Sequence, residues 1–164
     1  MRRSPLEPHL DSDPAVQLCV FRVGYEKYAL DLRRVEEILR TPRLARVPQA
    51  PSFIEGVIHF RGSVVPMVDL RKRFGLPTCP PAIKSRCMIC RLGRERVAIQ
   101  VDGPTEVLTL RISELYPPPT PGPGAGGASP FIVGVCGAAD ELKFLLDLKA
   151  LFVSQAPLEI GDPR

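Results

Sequence analysis

A short motif occurs twice in this chain at a fixed separation. Phe53-Ile54-Glu55-Gly56-Val57 matches Phe131-Ile132-Val133-Gly134-Val135. The same offset of 78 residues aligns Asp69-Leu70-Arg71 and Phe74 with Asp147-Leu148-Lys149 and Phe152. An earlier pair aligns at 69 residues, Arg22-Val23-Gly24-Tyr25-Glu26 against Arg91-Leu92-Gly93-Arg94-Glu95. The second copy therefore carries extra chain, and the Pro/Gly-rich, low-complexity stretch 117–130 is the place for it. A 164-residue chain built this way is constrained to two copies of one small unit. Each copy is too short for a large core of its own, so the two are expected to share one. The boundary is expected near residue 80.

The unit reads as mainly β. Nineteen prolines and thirteen glycines, with few long helical patterns, favour short strands joined by turns. Val16–Val23 turns at Gly24-Tyr25 into Tyr28–Leu30. Val57–Phe60 and Val64–Val68 flank Arg61-Gly62-Ser63, after a single turn opened by Ser52. In the second copy Cys87–Leu92 pairs with Arg96–Val101, Val107–Leu110 is strand-like, and Phe131–Cys136 pairs with Leu142–Leu146. Asp69 and Asp147 each stand where a side chain caps a short helix. Gly75 and Pro77 end the first of these helices. Asp31 is read as the cap of a further helix, whose apolar positions Leu32, Val35, Ile38 and Leu39 follow helical spacing and which stops before Pro42. Residues 1–14 and 154–164 read as polar tails, leaving 15–153 as the folded part.

Several function classes are disfavoured. The net charge of +4 is modest, with its excess in residues 1–82, where 13 Lys/Arg face 9 Asp/Glu. A mild positive face of this kind suits an acidic protein surface. No secretory signal or membrane-spanning run is evident, so a soluble, cytoplasmic protein is expected. Five cysteines, an odd number in apolar segments, read as reduced, buried thiols. Cys87-Met88-Ile89-Cys90 lacks a second ligand pair for zinc, and its thiols would leave a strand on opposite faces. No metal or other cofactor is expected. The only histidines are His9 and His59, and no base–nucleophile set or phosphate-binding glycine loop accompanies them, so no enzyme is expected.

Phe53-Ile54-Glu55-Gly56-Val57-Ile58-His59-Phe60-Arg61-Gly62, followed by Val64-Val65-Pro66-Met67-Val68-Asp69-Leu70, resembles the signature of CheW-like domains. Phe21-Arg22-Val23-Gly24, Tyr28-Ala29-Leu30-Asp31, Val35-Glu36-Glu37-Ile38 and Val101-Asp102-Gly103 fit in order. The resemblance spans residues 16–153. His59 departs from the Asn common there, and the loop at 117–130 is longer than usual. The resemblance implies two SH3-like five-stranded β-barrel subdomains with short helices, packed on a shared core. It also implies a non-catalytic adaptor that couples chemoreceptors to a CheA-type histidine kinase. The partners would be the kinase's own CheW-like regulatory domain and the cytoplasmic tip of a receptor, with the protein a monomer that enters larger arrays.

From the residues alone, Arg61-Gly62 reads as a solvated turn in which Gly supplies positive φ. The resemblance makes Arg61 the leading residue for partner recognition, with Glu37 pairing with it and orienting it. Val35, Ile38 and Leu39 read first as core packing. The resemblance implies that Val35 and Gly56 border a groove for the receptor tip, with Ile38 on the same element and Val107 a candidate on the second barrel. A rival reading is a small basic β-barrel binding nucleic acid through Arg33, Arg34, Arg40, Arg43, Arg46 and Arg71–Arg73. Such barrels need aromatic platforms, and the chain has no Trp. A redox enzyme built on Cys87 and Cys90 would need a thiol of low pKa.

Overall fold

The computed structural model describes residues 13–118 and 129–153. Residues 1–12 and 154–164 and most of the Pro/Gly-rich stretch lie outside the described residues. Among the described residues ten strands run in the order β1 (Ala15–Val23), β2 (Glu26–Asp31), β3 (Val35–Leu39), β4 (Ile54–Phe60), β5 (Ser63–Asp69), β6 (Arg86–Leu92), β7 (Glu95–Val101), β8 (Glu106–Arg111), β9 (Ile132–Cys136) and β10 (Lys143–Leu146). Two one-turn helices, α1 (Leu70–Arg73) and α2 (Leu148–Leu151), follow β5 and β10. Asp69 and Asp147 cap them as the sequence predicts, each accepting a 3.0 Å bond from the backbone N–H two residues on.

The strands form two five-stranded sheets, β8-β1-β2-β10-β9 (sheet I) and β3-β6-β7-β5-β4 (sheet II). The orders are the same when each strand is replaced by its repeat partner. Each repeat gives its first hairpin to one sheet and its last three strands to the other. A parallel ladder joins the two contributions in both sheets, β2 to β10 and β5 to β7. The sheets thus do not correspond to the two halves of the sequence: a boundary near residue 80 falls inside sheet II, between β5 and β6. Full barrel closure is not present either. One isolated bridge per sheet, Ala45–Val57 or Tyr116–Val135, links the chain leaving one edge strand to the other edge.

This exchange explains why the central strands are apolar on both faces. In β1, Cys19, Phe21 and Val23 enter a core between the sheets, while Leu18 and Val20 enter one enclosed by sheet I. In β6, Met88 and Cys90 face the shared core, and Cys87 and Ile89 face the interior of sheet II. Cys87 and Cys90 therefore leave their strand on opposite faces, as expected. Cys79 departs from the expected burial; it is exposed in the Pro-rich segment after α1.

Two contacts bind the repeats across the centre. Asp102 accepts the Gly24 N–H at 2.6 Å and Arg71 Nε at 2.8 Å, tying the first hairpin to α1. Arg73 lies between the repeat-equivalent rings of Phe53 and Phe131, with its guanidinium carbon 3.9 and 4.9 Å from their centroids. It also donates to the carbonyls of Ala150 and Val153 at the end of α2.

One expected element is replaced. Asp31 does cap a turn, accepting the Arg33 N–H, but that turn is a single 3-10 turn over Leu32–Arg34. The chain then becomes β3, paired with β6. Val35, Glu37, Ile38 and Leu39 are strand residues, not the stripe of a helix. The β-branched Val35 and Ile38 suit a strand, and pairing with β6 satisfies their backbone groups.

Candidate functional site

The β4–β5 turn is Arg61-Gly62, with φ of 47° and 79°. Positive φ at both central residues is the pattern of a type I′ turn, whose twist matches the strands it joins. Gly adopts this readily, whereas a positive φ is uncommon for a residue with a side chain such as Arg. Arg61 Nη2 donates to Glu37 Oε1 at 2.7 Å, and its guanidinium sits 4.8 Å from the Phe60 ring centroid. The expected Arg61–Glu37 pair is thus formed. An exposed pair is worth roughly 0.2–1 kcal/mol, too little to hold a fold and enough to select a rotamer. Arg61 keeps 59% of its side chain exposed while so oriented.

Glu37 reaches the turn because β3 carries a bulge. Its register against β6 shifts between Val35 and Glu37, at Glu36. Neighbouring side chains in a regular strand point to opposite faces, and a bulge re-aims them. Here both glutamates serve one cluster. Glu36 takes a two-point clamp from Arg96, at 2.9 and 3.0 Å, and lies 3.6 Å from both Arg61 and Arg91. The Arg96 hydrogen bond, then the charges of Arg96, Arg91 and Arg61, hold its carboxyl below the usual range despite partial burial. Arg96 also donates to Ser63 Oγ at 3.2 Å and lies over Phe60. Sequence reading missed Glu36, Arg91 and Arg96. The signal was the density of arginine in Arg91-Leu92-Gly93-Arg94-Glu95-Arg96, beside a hairpin turn.

The other expected site residues are spread out. Val35 is half-buried against the shared core, and Ile38 is exposed on β3. Gly56 lies on β4, the opposite edge of sheet II, and is buried. A Cβ there would stand 2.5 Å from the Ala45 carbonyl oxygen and 2.8 Å from Leu44 Cγ, so its glycine is set by the close passage of the 40–53 segment. Val107 is 57% exposed on β8, the edge of sheet I. Arg61, Gly62 and Glu37 come together; Gly56 and Val107 stand apart from them.

The thiols of Cys87 and Cys90 are each pushed up to about 12, and that of Cys19 to about 11, first by burial. Those are unreactive thiols. Among the described residues no group of three or more His, Cys, Asp or Glu is placed to hold a metal ion. No helix among them is long and apolar enough to cross a membrane.

Known proteins are similar to this chain in sequence and fold. The chain is 28% identical over 139 residues to the chemotaxis protein CheW of Klebsiella aerogenes, covering 85% of this chain and 82% of that one. It is 34% identical over 103 residues to the CheW of Bacillus subtilis, covering 63% and 66%. Its fold matches the crystal structure of the scaffolding protein TtCheW from Thermoanaerobacter tengcongensis, with a TM-score of 0.76, 28% identity and coverage of 88% and 97%. The family model of the CheW-like domain matches residues 17–156, which takes in both helices and all ten described strands except the first two residues of β1. The chain belongs to the CheW-like domain family.

Proposed function

We propose that this protein is a non-catalytic adaptor of a chemosensory pathway. It couples the cytoplasmic tips of chemoreceptors to a CheA-type histidine kinase, works in the cytoplasm and enters larger arrays as a monomer. Family membership and the chemotaxis proteins it resembles support the adaptor role. The observation that carries the docking site is Arg61: an exposed guanidinium in a left-handed turn, fixed by Glu37. A planar fork of donors held in one orientation suits a carboxylate or carbonyl array on a protein partner.

Arg61, Gly62 and Glu37 form the kinase-facing end of this reading. For the receptor tip, Val35 and Gly56, on the two edge strands of sheet II, border the groove, with Ile38 beside Val35 on β3 and Val107 a candidate on sheet I. In this reading each sheet acts as an SH3-like barrel, with the single bridge as its seam.

A pull-down with the kinase's CheW-like regulatory domain, comparing the native protein with Arg61→Glu, tests it. The native protein should bind and the variant should lose most binding. Equal binding by both would remove Arg61 from the site; binding by neither would remove the adaptor function.

A further inference from the structure

The arginine-rich end of sheet II holds more than the Arg61 turn. The parallel register Met67↔Ala98, Val68↔Ile99, Asp69↔Gln100 brings the β4–β5 turn beside the β6–β7 turn. Between them lies an open cavity of about 490 Å³ lined by Ser63, Val64, Arg91, Arg94, Glu95 and Arg96. Its arginines are not equally engaged. Arg96 is fixed, clamped by Glu36 and bonded to Ser63. Arg91 is 53% exposed and meets Glu36 only at 3.6 Å. Arg94 is exposed at the turn and has no ion pair among the described residues.

One Glu36 carboxylate thus faces three guanidinium groups, those of Arg61, Arg91 and Arg96, with a fourth nearby. Glu37 is taken up by Arg61, and Glu95 adds a third carboxylate to the lining, so four arginines against three glutamates leave one net positive charge at this end. We propose that this cavity is an anion-binding subsite in which Arg91 and Arg94 receive carboxylates of an acidic segment on a protein partner, over a floor fixed by Arg96. This rests on the docking role assigned to Arg61 and extends that surface across the β6–β7 turn. Two arginines with forked donors match side-chain carboxylates in number and geometry. Val64, 60% exposed at the rim, offers an aliphatic surface beside the arginines. A nucleic acid would need a stacking face, and the ring at this end, Phe60, is 8% exposed and covered by arginine.

The test is calorimetric titration of the kinase's regulatory domain into native protein and into the Arg91→Ala/Arg94→Ala double variant, at low and moderate salt. Both side chains are exposed, so unchanged circular dichroism and melting temperature should accompany the substitutions. The double variant should bind about tenfold more weakly, with a shallower salt dependence. Equal affinity and equal salt dependence would overturn the subsite and leave the Arg61 reading standing. Should native protein fail to bind the domain, that reading falls, and a glutamate-rich dodecapeptide then tests the subsite directly. Saturable binding lost in the double variant would sustain it, and no binding would overturn it. Tighter binding of a single-stranded oligonucleotide than of the peptide would also overturn it.

Discussion

The connection between the last two strands of each repeat differs between the two copies, and its two versions have opposite chemistry. In sheet II, β4 and β5 are joined by Arg61-Gly62, and the cluster around it presents arginine outward. In sheet I the matching connection between β9 and β10 is longer. Gly137 has φ 96°, the Glu141 N–H bonds the Ala138 carbonyl at 2.8 Å, and a Cβ on Gly137 would come 2.6 Å from the Glu141 carbonyl oxygen. Its charged residues are Asp140 and Glu141, with Glu141 drawn to Lys27 at 2.6 Å. The scaffold was duplicated and the turns were not. The strands are held to their apolar pattern by three cores, whereas an exposed turn answers only to its own backbone and to what docks on it.

The sharpest way to break this comparison is at matching positions where one copy has changed role. Leu151, fully buried, occupies in α2 the place that Arg73 holds in α1. Leu151→Ala should cost about 2–5 kcal/mol in urea denaturation, as a cavity in the shared core. Arg73→Ala should cost about 1–2 kcal/mol, through lost stacking on two rings and lost bonds to α2. Equal costs would mean that the two helices pack alike after all.

Gly56 and Gly134 form a second matched pair. A Cβ at Gly56 collides with backbone, while at Gly134 the nearest atom is the Tyr116 oxygen at 3.5 Å. Gly56→Ala should destabilise by about 2–3 kcal/mol. Gly134→Ala should stay within about 0.5 kcal/mol of native. Differential scanning calorimetry of the two variants decides this.

A smaller effect separates the electrostatics of the sheet II end. Glu36 titrates below its ordinary value of 4.5 in the folded state because Arg96 bonds the ionised form. A carboxyl depressed in this way contributes stability above pH 4.5 that is lost as pH falls through its folded value. Glu36→Gln should therefore be less stable than native at pH 7, and the gap should close on acidification below pH 4.5. A gap independent of pH would assign Glu36 a packing role only. Last, alkylation of the native protein should label Cys79 quickly and Cys19, Cys87, Cys90 and Cys136 slowly; fast labelling of Cys87 or Cys90 would open the redox reading.

Much of the fold was legible locally. Gly24, Gly93 and Gly62 mark their turns because positive φ suits them, and Asp69 and Asp147 mark their helices because a carboxylate satisfies free N–H groups. The segment 32–39 was misread for a physical reason: the bulge at Glu36 breaks the two-residue alternation, and what remains has the spacing of a helix. The exchange of strands between repeats has no local signature, since a strand apolar on both faces fits the centre of either sheet. The Arg61–Glu37 pair followed from a resemblance, while Glu36, Arg91 and Arg96 required the register of three strands to bring them together.

The proposed docking role for the Arg61 turn is tested most directly by measuring affinity for the kinase's regulatory domain in two variants. Arg61→Glu alters the turn of sheet II, and Glu141→Lys alters the matching turn of sheet I. The account predicts at least tenfold weaker binding for Arg61→Glu and near-native binding for Glu141→Lys. Native affinity in Arg61→Glu, with loss in Glu141→Lys, would place the kinase on the other sheet and contradict it.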